Sequence, residues 1–376
     1  MEDIKKLYPL RFLPIAETFA WGGDSLIDKY DKKFVESDGQ GNEKRLEKGV
    51  KVAESHEIAD LGYRDSQVRD GWLAGNTISE IMDMYLDRVV GENVFEHYGR
   101  QFPLSVKFID ARARTPLVVS PDDETAGQRY DFLGKARMWY VVDTAPSSRI
   151  FLGFRKDTSV QDFFQACPDG SVESFLNAVT PAKGDVFVIE PGTVHAAQGV
   201  TLLEVSEASP LDFCLSGWGR EVPEDEFDDN LGLAEALDFI DYKEYVAAPL
   251  VEGKLVKRRG MTVTKLELND PVHIIGEEAG SFAVYTCIAG GASIQVPDEG
   301  QRMDSYTVEA GDTVLVPSEV YDFYLVPRQS GTVLIEAMVD KFEEEDKYID
   351  PEVEPQLPGE NEEFKFNSVY GRFSKN

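Results

Sequence analysis

From about residue 103 the chain returns repeatedly to short apolar runs closed by turn residues: "PLSVKFIDA", "PLVVS", "RMWYVVD", "RIFLGF", "DVFVIEPG" and "VTLLEVSE". Short strands punctuated by Gly, Pro and Asp predict an antiparallel sandwich or barrel. A second block, from about 254 to 339, repeats the pattern in "KLVKRRGMTVTKLEL", "SFAVYTCIAGGASIQV", "DSYTVEAGDTVLVPS" and "TVLIEAMV". Between residues 76 and 98 the period changes. Ile78, Ile81, Met82, Tyr85, Leu86 and Val89 recur at roughly three and four, which predicts a helix, and Thr77 with Glu80 fits a capping box. Short helices are expected near 159–178, and a helical connection near 225–245. Residues 1–75 are mixed, with turn signals such as "WGGDS" and "SDGQGNE".

The two strand-rich blocks echo each other. "GDVFVIEPGTVHA" (184–196) resembles "GDTVLVPSEVYDF" (311–323), and with a one-residue gap Tyr321 falls where His195 sits. This Gly-Asp, apolar strand, Pro, turn pattern recurs in cupins, which are small jelly-roll barrels. The expected fold is mainly β, with two cupin (jelly-roll) barrels and a helical insertion. The expected organisation is an N-terminal cupin domain over 1–245 with its insertion near 76–98, a C-terminal cupin domain over 246–340, and an acidic tail over 341–376.

Composition narrows the partners. The net charge of -31 argues against nucleic acid, whose phosphates need a basic surface. Much of that charge lies in the tail, so it says little about a pocket. No stretch approaches the length of a membrane span, and "MEDIKKLYPLRFLP" has no signal-peptide pattern. Cys167, Cys214 and Cys287 are odd in number and far apart, which suggests a reducing compartment. A cytoplasmic protein that binds no membrane is expected; the oligomeric state stays open. The four histidines share no close spacing, so there is no local zinc motif.

"PLSVKFIDARARTPLVVSPDDE", "GKARMWYVV", "GDVFVIEPGTVHAAQGVTLLEV" and "SGWGR", with the earlier "YPLRFLPIAETFAWGGDSL" and "AESHEIADLGYRD", together resemble the type I phosphomannose isomerases over most of residues 8–220. The resemblance implies a zinc-dependent aldose–ketose isomerase that interconverts mannose 6-phosphate and fructose 6-phosphate by proton transfer between C1 and C2. It also implies where the metal ligands should be. The glutamine position is Val118, the first histidine is Ser120, and the glutamate is Arg137. Only the second histidine remains, as His195. An arginine associated with catalysis is replaced by Cys214. Other pocket positions persist as Lys107, Lys135, Glu204 and Arg220.

A catalytic zinc usually takes three protein ligands and a water. Valine has no lone pair, a serine hydroxyl is a poor ligand, and an arginine cannot be deprotonated in a protein. No cofactor, and in particular no zinc, is therefore expected. His195 reads as a pocket histidine, with a hydrogen-bonded core histidine as the plain alternative. Lys107 alternates onto the face of Ser105 and Ile109, and is otherwise a solvated edge lysine. Lys135 and Arg137 share a strand face, with a surface arginine as the alternative. Glu204 would otherwise be an ordinary strand glutamate. Trp139 and Trp218 read as core, with sugar-stacking platforms as the alternative, and Cys214 reads as a small buried residue.

Two functions follow. In the first, Lys107, Lys135, Arg137, Glu204 and Arg220 form a basic pocket for a sugar or sugar phosphate, without zinc-dependent isomerisation. In the second, the chain is an active mannose-6-phosphate isomerase by a modified or metal-independent site. Arg137 then stabilises the enediolate, and Glu204, His195 or Lys135 moves the proton. A regulatory or structural partner without a ligand is a third reading.

Overall fold

The structure is a computed structural model that describes residues 5–37, 43–220, 232–248, 251–277, 280–298 and 302–342, together with the backbone of 366–368 and 371–373. The chain divides into two compact units. One takes Pro14–His56 and Ser105–Pro249; the other takes Met1–Leu13, Glu57–Leu104 and Leu250–Asn376. One crossing between the units follows Pro249. The region 76–98 clusters with the unit that holds the second strand block.

In the first unit the sheet runs, in spatial order, through Val186–Ile189, Arg137–Phe154, His195–Glu207, Leu104–Ala111, Glu54–Ile58 and Ile15–Glu17. The strand Leu117–Val119 pairs with both His195–Glu207 and Phe213–Ser216, while Leu176–Val179 pairs with Arg137–Phe154. Apolar side chains from alternate positions, among them Val141, Ile150, Leu152 and Leu202, make one core cluster. Phe151, Phe154, Phe163 and Phe213 anchor another. Alternation along each strand sends one set of side chains to each face, so a single strand serves both a core and the site.

The second unit holds a six-stranded sheet in the order Leu10–Arg11, Thr313–Val316, Ala283–Ala289, Thr332–Met338, Met261–Leu268 and Val256–Arg258. A four-stranded sheet runs Val272–Ile275, Asp322–Pro327, Gly291–Pro297 and Met303–Glu309. Tyr285, Ile294, Val314, Leu325 and Leu334 fill its core. The protein is mainly β with a cupin-like fold, as the repeated strand pattern predicts.

The helical readings change in detail. The capping box forms, with Thr77 accepting from Glu80 N and Glu80 accepting from Thr77 N. The single helix expected over 76–98 is instead three: Ile78–Tyr85, Asp87–Val90 and Glu92–Tyr98. Leu86 at φ 50° and Gly91 at φ 93° interrupt the right-handed path, and apolar periodicity does not report backbone angles. Near 159–178 a helix Val160–Ala166 and a 3-10 turn Ser171–Ser174 are present. Of the stretch near 225–245, residues 225–231 lie outside the described residues. The rest forms only the short helix Leu233–Ala236. Beyond it the amides of Asp241 and Tyr245 donate to Gly192 O and Phe154 O, so tertiary hydrogen bonds replace the helical ones. The expected tail beyond residue 342 lies outside the described residues, apart from a short antiparallel pair, Phe366–Ser368 with Gly371–Phe373. Among the described residues no helix is long and apolar enough to cross a membrane.

Candidate functional site

Arg137 opens the strand Arg137–Phe154, and the two-residue period puts Arg137 and Trp139 on one face. The neighbouring strand sets Ser206 opposite Arg137 and Glu204 opposite Trp139. Glu204 is thereby delivered to both side chains. Trp139 Nε1 donates to Glu204 Oε2 at 2.7 Å, and Arg137 Nη1 donates to the same oxygen at 3.3 Å. Arg137 Nη2 donates to Ser120 Oγ and Asp212 Oδ1. The Ser120 hydroxyl in turn donates to Asp212 Oδ1 at 2.7 Å.

Lys135 reaches the same carboxylate, with Nζ 2.8 Å from Asp212 Oδ2. Its approach is set by the residue before it. Gly134 N donates to Asp123 Oδ1 at 2.9 Å, and a Cβ on Gly134 would stand 2.5 Å from the Asp122 backbone. The "PDDE" turn is thus the N-terminus of the helix Asp123–Tyr130, capped by the Asp122 side chain, and only glycine fits beneath it. On the far side, Lys107 donates to both oxygens of Glu54 at 2.9 Å and lies 3.7 Å from Glu204 Oε1. His56 Nε2 lies 3.3 Å from Glu54 Oε2.

The network is buried: Arg137 is 3% exposed, Glu204 1% and His195 1%. Three cations (Lys107, Lys135, Arg137) meet three carboxylates (Glu54, Glu204, Asp212). Where the sequence led to the expectation of a basic pocket, the structure has a charge-balanced buried network. Buried charges persist only when paired in this way.

Electrostatics follow from the pairing. Burial alone would raise Glu204, but Lys107, Arg137 and Lys135 outweigh it and hold the carboxyl at about 2. Burial is likewise overcome at Asp212, chiefly by Arg137 and Lys135, and it titrates well below the usual carboxylate range. Glu54 is lowered against its burial by Lys107 and His56. Lys107 is raised against its burial by Glu54, Glu204 and Asp212. Lys135 is lowered: burial and the neighbouring Arg137 and Lys107 charges exceed the pull of Asp212. His195 is lowered to about 3 by burial and by Arg137, so it is neutral.

His195 Nδ1 donates to Thr193 O at 2.8 Å. This leaves Nε2 as a buried acceptor with no partner among the described residues. Across from His195 stands Val118, which also pairs with Cys214. Val118 has no donor atom, Ser120 is committed to Asp212 and Arg137, and the Arg137 guanidinium brings a fixed positive charge. Among the described residues no group of three His, Cys, Asp or Glu side chains is arranged to hold a metal.

Lys107, Lys135, Arg137, His195 and Glu204 come together. Arg220 does not: it is exposed after the strand Phe213–Ser216, with no ion pair among the described residues. Sequence reasoning missed Glu54, His56 and Asp212, and it missed that Trp139 donates a hydrogen bond to Glu204. Glu54 and His56 alternate in "ESHE", whereas Asp212 is tied to the site only by partners distant in the chain.

No protein-family model matches the chain. The chain is 24% identical over 332 residues to the provisionally named mannose-6-phosphate isomerase YvyI of Bacillus subtilis (strain 168), covering 84% of this chain and 95% of that one. It is 27% identical over 236 residues to mannose-6-phosphate isomerase ManA of the same organism, covering 62% and 68%. Among solved structures, the mannose 6-phosphate isomerase from Bacillus subtilis superposes with a TM-score of 0.69 at 21% identity, over 88% of this chain and 99% of that one. A variant of phosphomannose isomerase from Salmonella typhimurium gives 0.65 at 13%, over 89% and 100%. In sequence the chain is similar to proteins named mannose-6-phosphate isomerase, and it shares the fold of their solved structures.

Proposed function

We propose that this protein is a cytoplasmic, phosphomannose-isomerase-like bicupin that binds a sugar or sugar phosphate and does not carry out zinc-dependent isomerisation. The observation that carries this reading is Arg137. At the position the resemblance gives to a metal-ligating glutamate, a guanidinium is held by Glu204, Asp212 and Ser120. A fixed cation at this point repels a dication and satisfies the carboxylates that would otherwise need one. The relatives are named for mannose 6-phosphate, which supports a sugar ligand here. The balanced interior offers charge-assisted hydrogen bonds to sugar hydroxyls.

The second reading is metal-free isomerisation, and the unpartnered Nε2 of His195 favours it. The proton chemistry opposes it. An efficient base has a pKa near the working pH, whereas His195 and Glu204 lie at about 3 and about 2. Both are weak bases.

The test is a coupled isomerase assay with mannose 6-phosphate on protein incubated with zinc, alongside elemental analysis and calorimetry. The expected results are substoichiometric zinc, no turnover above background, and heat on adding the sugar phosphate or the free sugar. Turnover at about 1–10³ per second, ordinary for enzymes, would overturn the reading, as would stoichiometric zinc lost in His195→Ala. Absence of heat with every sugar tested would remove the ligand.

A further inference from the structure

The second barrel repeats the register of the first. In the first barrel Trp139 stands opposite Phe187 on one neighbour and Glu204 on the other, and its ring nitrogen donates to that glutamate. In the second, Tyr285 stands opposite Val314 on one neighbour and Glu336 on the other, and its hydroxyl donates to Glu336 Oε1 at 2.8 Å. Two residues before the aromatic the barrels part. The first barrel has Arg137 opposite Ile189, whereas its counterpart opposite Val316 is Ala283.

Replacing a guanidinium by a methyl leaves space. A cavity of about 260 Å³ lies there, lined by Ala283, Tyr285, Tyr321, Glu336 and Ser281 among others. Tyr321 is the residue that falls at the His195 position in the sequence echo. Ser281 Oγ is buried and has no hydrogen-bond partner among the described residues. Among the described residues the cavity wall carries the carboxylates of Glu277, Glu336 and Asp340 and one ammonium, Lys341. Lys341 pairs with Glu277 and Lys257, outside the lining, lies 4.0 Å from Asp340, which leaves Glu336 as the carboxylate in excess.

The geometry points to a second small-molecule site in the C-terminal barrel, built on Ala283, Tyr285, Tyr321, Glu336 and Ser281, that takes an uncharged monosaccharide. The size is right: the volume falls just below the roughly 300–1,000 Å³ of pockets that hold drug-sized ligands. The polar groups are right as well. Glu336 keeps one carboxylate oxygen for a hydroxyl donor, Ser281 Oγ can donate or accept, and Tyr321 offers an aromatic face with a polar tip. The excess carboxylate repels a phosphate, so this site selects against the phosphorylated sugar. It stands independently of the function proposed for the first barrel.

The test uses the full chain, with ligand-observed NMR and calorimetry on D-mannose, D-glucose and D-fructose, their 6-phosphates, and an alkylammonium ion. Ala283→Leu fills the cavity, and Glu336→Gln removes the charged acceptor while keeping its shape. The expected result is binding of at least one free hexose that Ala283→Leu abolishes and Glu336→Gln weakens about tenfold or more, the value of a charged hydrogen bond. Circular dichroism should show both variants folded, and Glu336→Gln carries the test if Ala283→Leu does not fold. No hexose binding up to roughly 10 mM, weak by small-ligand standards, overturns the proposal. Hexose binding that survives both variants assigns the sugar elsewhere and also overturns it. Tighter Glu336-dependent binding of a hexose phosphate or of the ammonium overturns the stated ligand class.

Discussion

Arg137 shows what a single residue does to this interior. It is buried between Glu204 and Asp212, and removing one partner of a buried pair leaves the other charge uncompensated. Arg137→Ala should therefore cost about 3–5 kcal/mol in urea denaturation. A loss under about 1 kcal/mol would mean that water already screens the carboxylates. The same pairs set a pH dependence. Glu204 titrates at about 2 in the fold against an ordinary 4.5, so the unfolded chain binds its proton first as pH falls. Stability from this group is fully present above about pH 4.5 and is lost on the way down to about pH 2; Asp212 and Glu54, also depressed, act in the same direction. The urea midpoint should fall steadily on acidification from about pH 5, and a midpoint that rises there would contradict the network. The inward position of Arg137 was legible from strand alternation and the family resemblance. Asp212 was not, because its role depends on Lys135 and Ser120, 77 and 92 residues away in the chain.

At the level of elements, local chemistry read well wherever a local interaction decides the outcome. The Thr77 cap is such a case: its hydroxyl accepts from Glu80 N at 3.4 Å, and Glu80 Oε2 accepts from Thr77 N at 3.0 Å. Thr77→Ala should cost about 1 kcal/mol, seen as a lower urea midpoint with an unchanged slope. No change would mean that the helix Ile78–Tyr85 is held by its buried Ile78, Ile81 and Met82 alone. The break at Leu86 was illegible for the opposite reason. A leucine at φ 50° is held there against its own preference, and the apolar period runs through it without a mark. The strands behave alike. Alternation placed Arg137 and Trp139 on one face, but only the observed register puts Glu204 opposite Trp139 and Glu336 opposite Tyr285.

For the whole molecule, each unit draws on segments far apart in sequence, so composition along the chain could suggest two strand-rich blocks without saying which early residues join which. Charge is legible at this scale because it simply sums. With 69 acidic against 38 basic residues, self-repulsion between exposed carboxylates opposes the compact state. Salt shortens the reach of that repulsion, from about 30 Å at 0.01 M to about 10 Å at 0.1 M. Salt also weakens exposed ion pairs such as Arg129 with Asp238 and Lys29 with Asp143, but each of those contributes only about 0–1 kcal/mol. The buried pairs around Arg137 are screened far less. The excess of like charge should therefore win, and the melting temperature should rise as sodium chloride goes from about 0.01 to about 0.2 M. Differential scanning fluorimetry along that series decides the point. A falling melting temperature would show that the exposed ion pairs outweigh the net repulsion. A flat one would show that the excess carboxylates lie too far apart to repel.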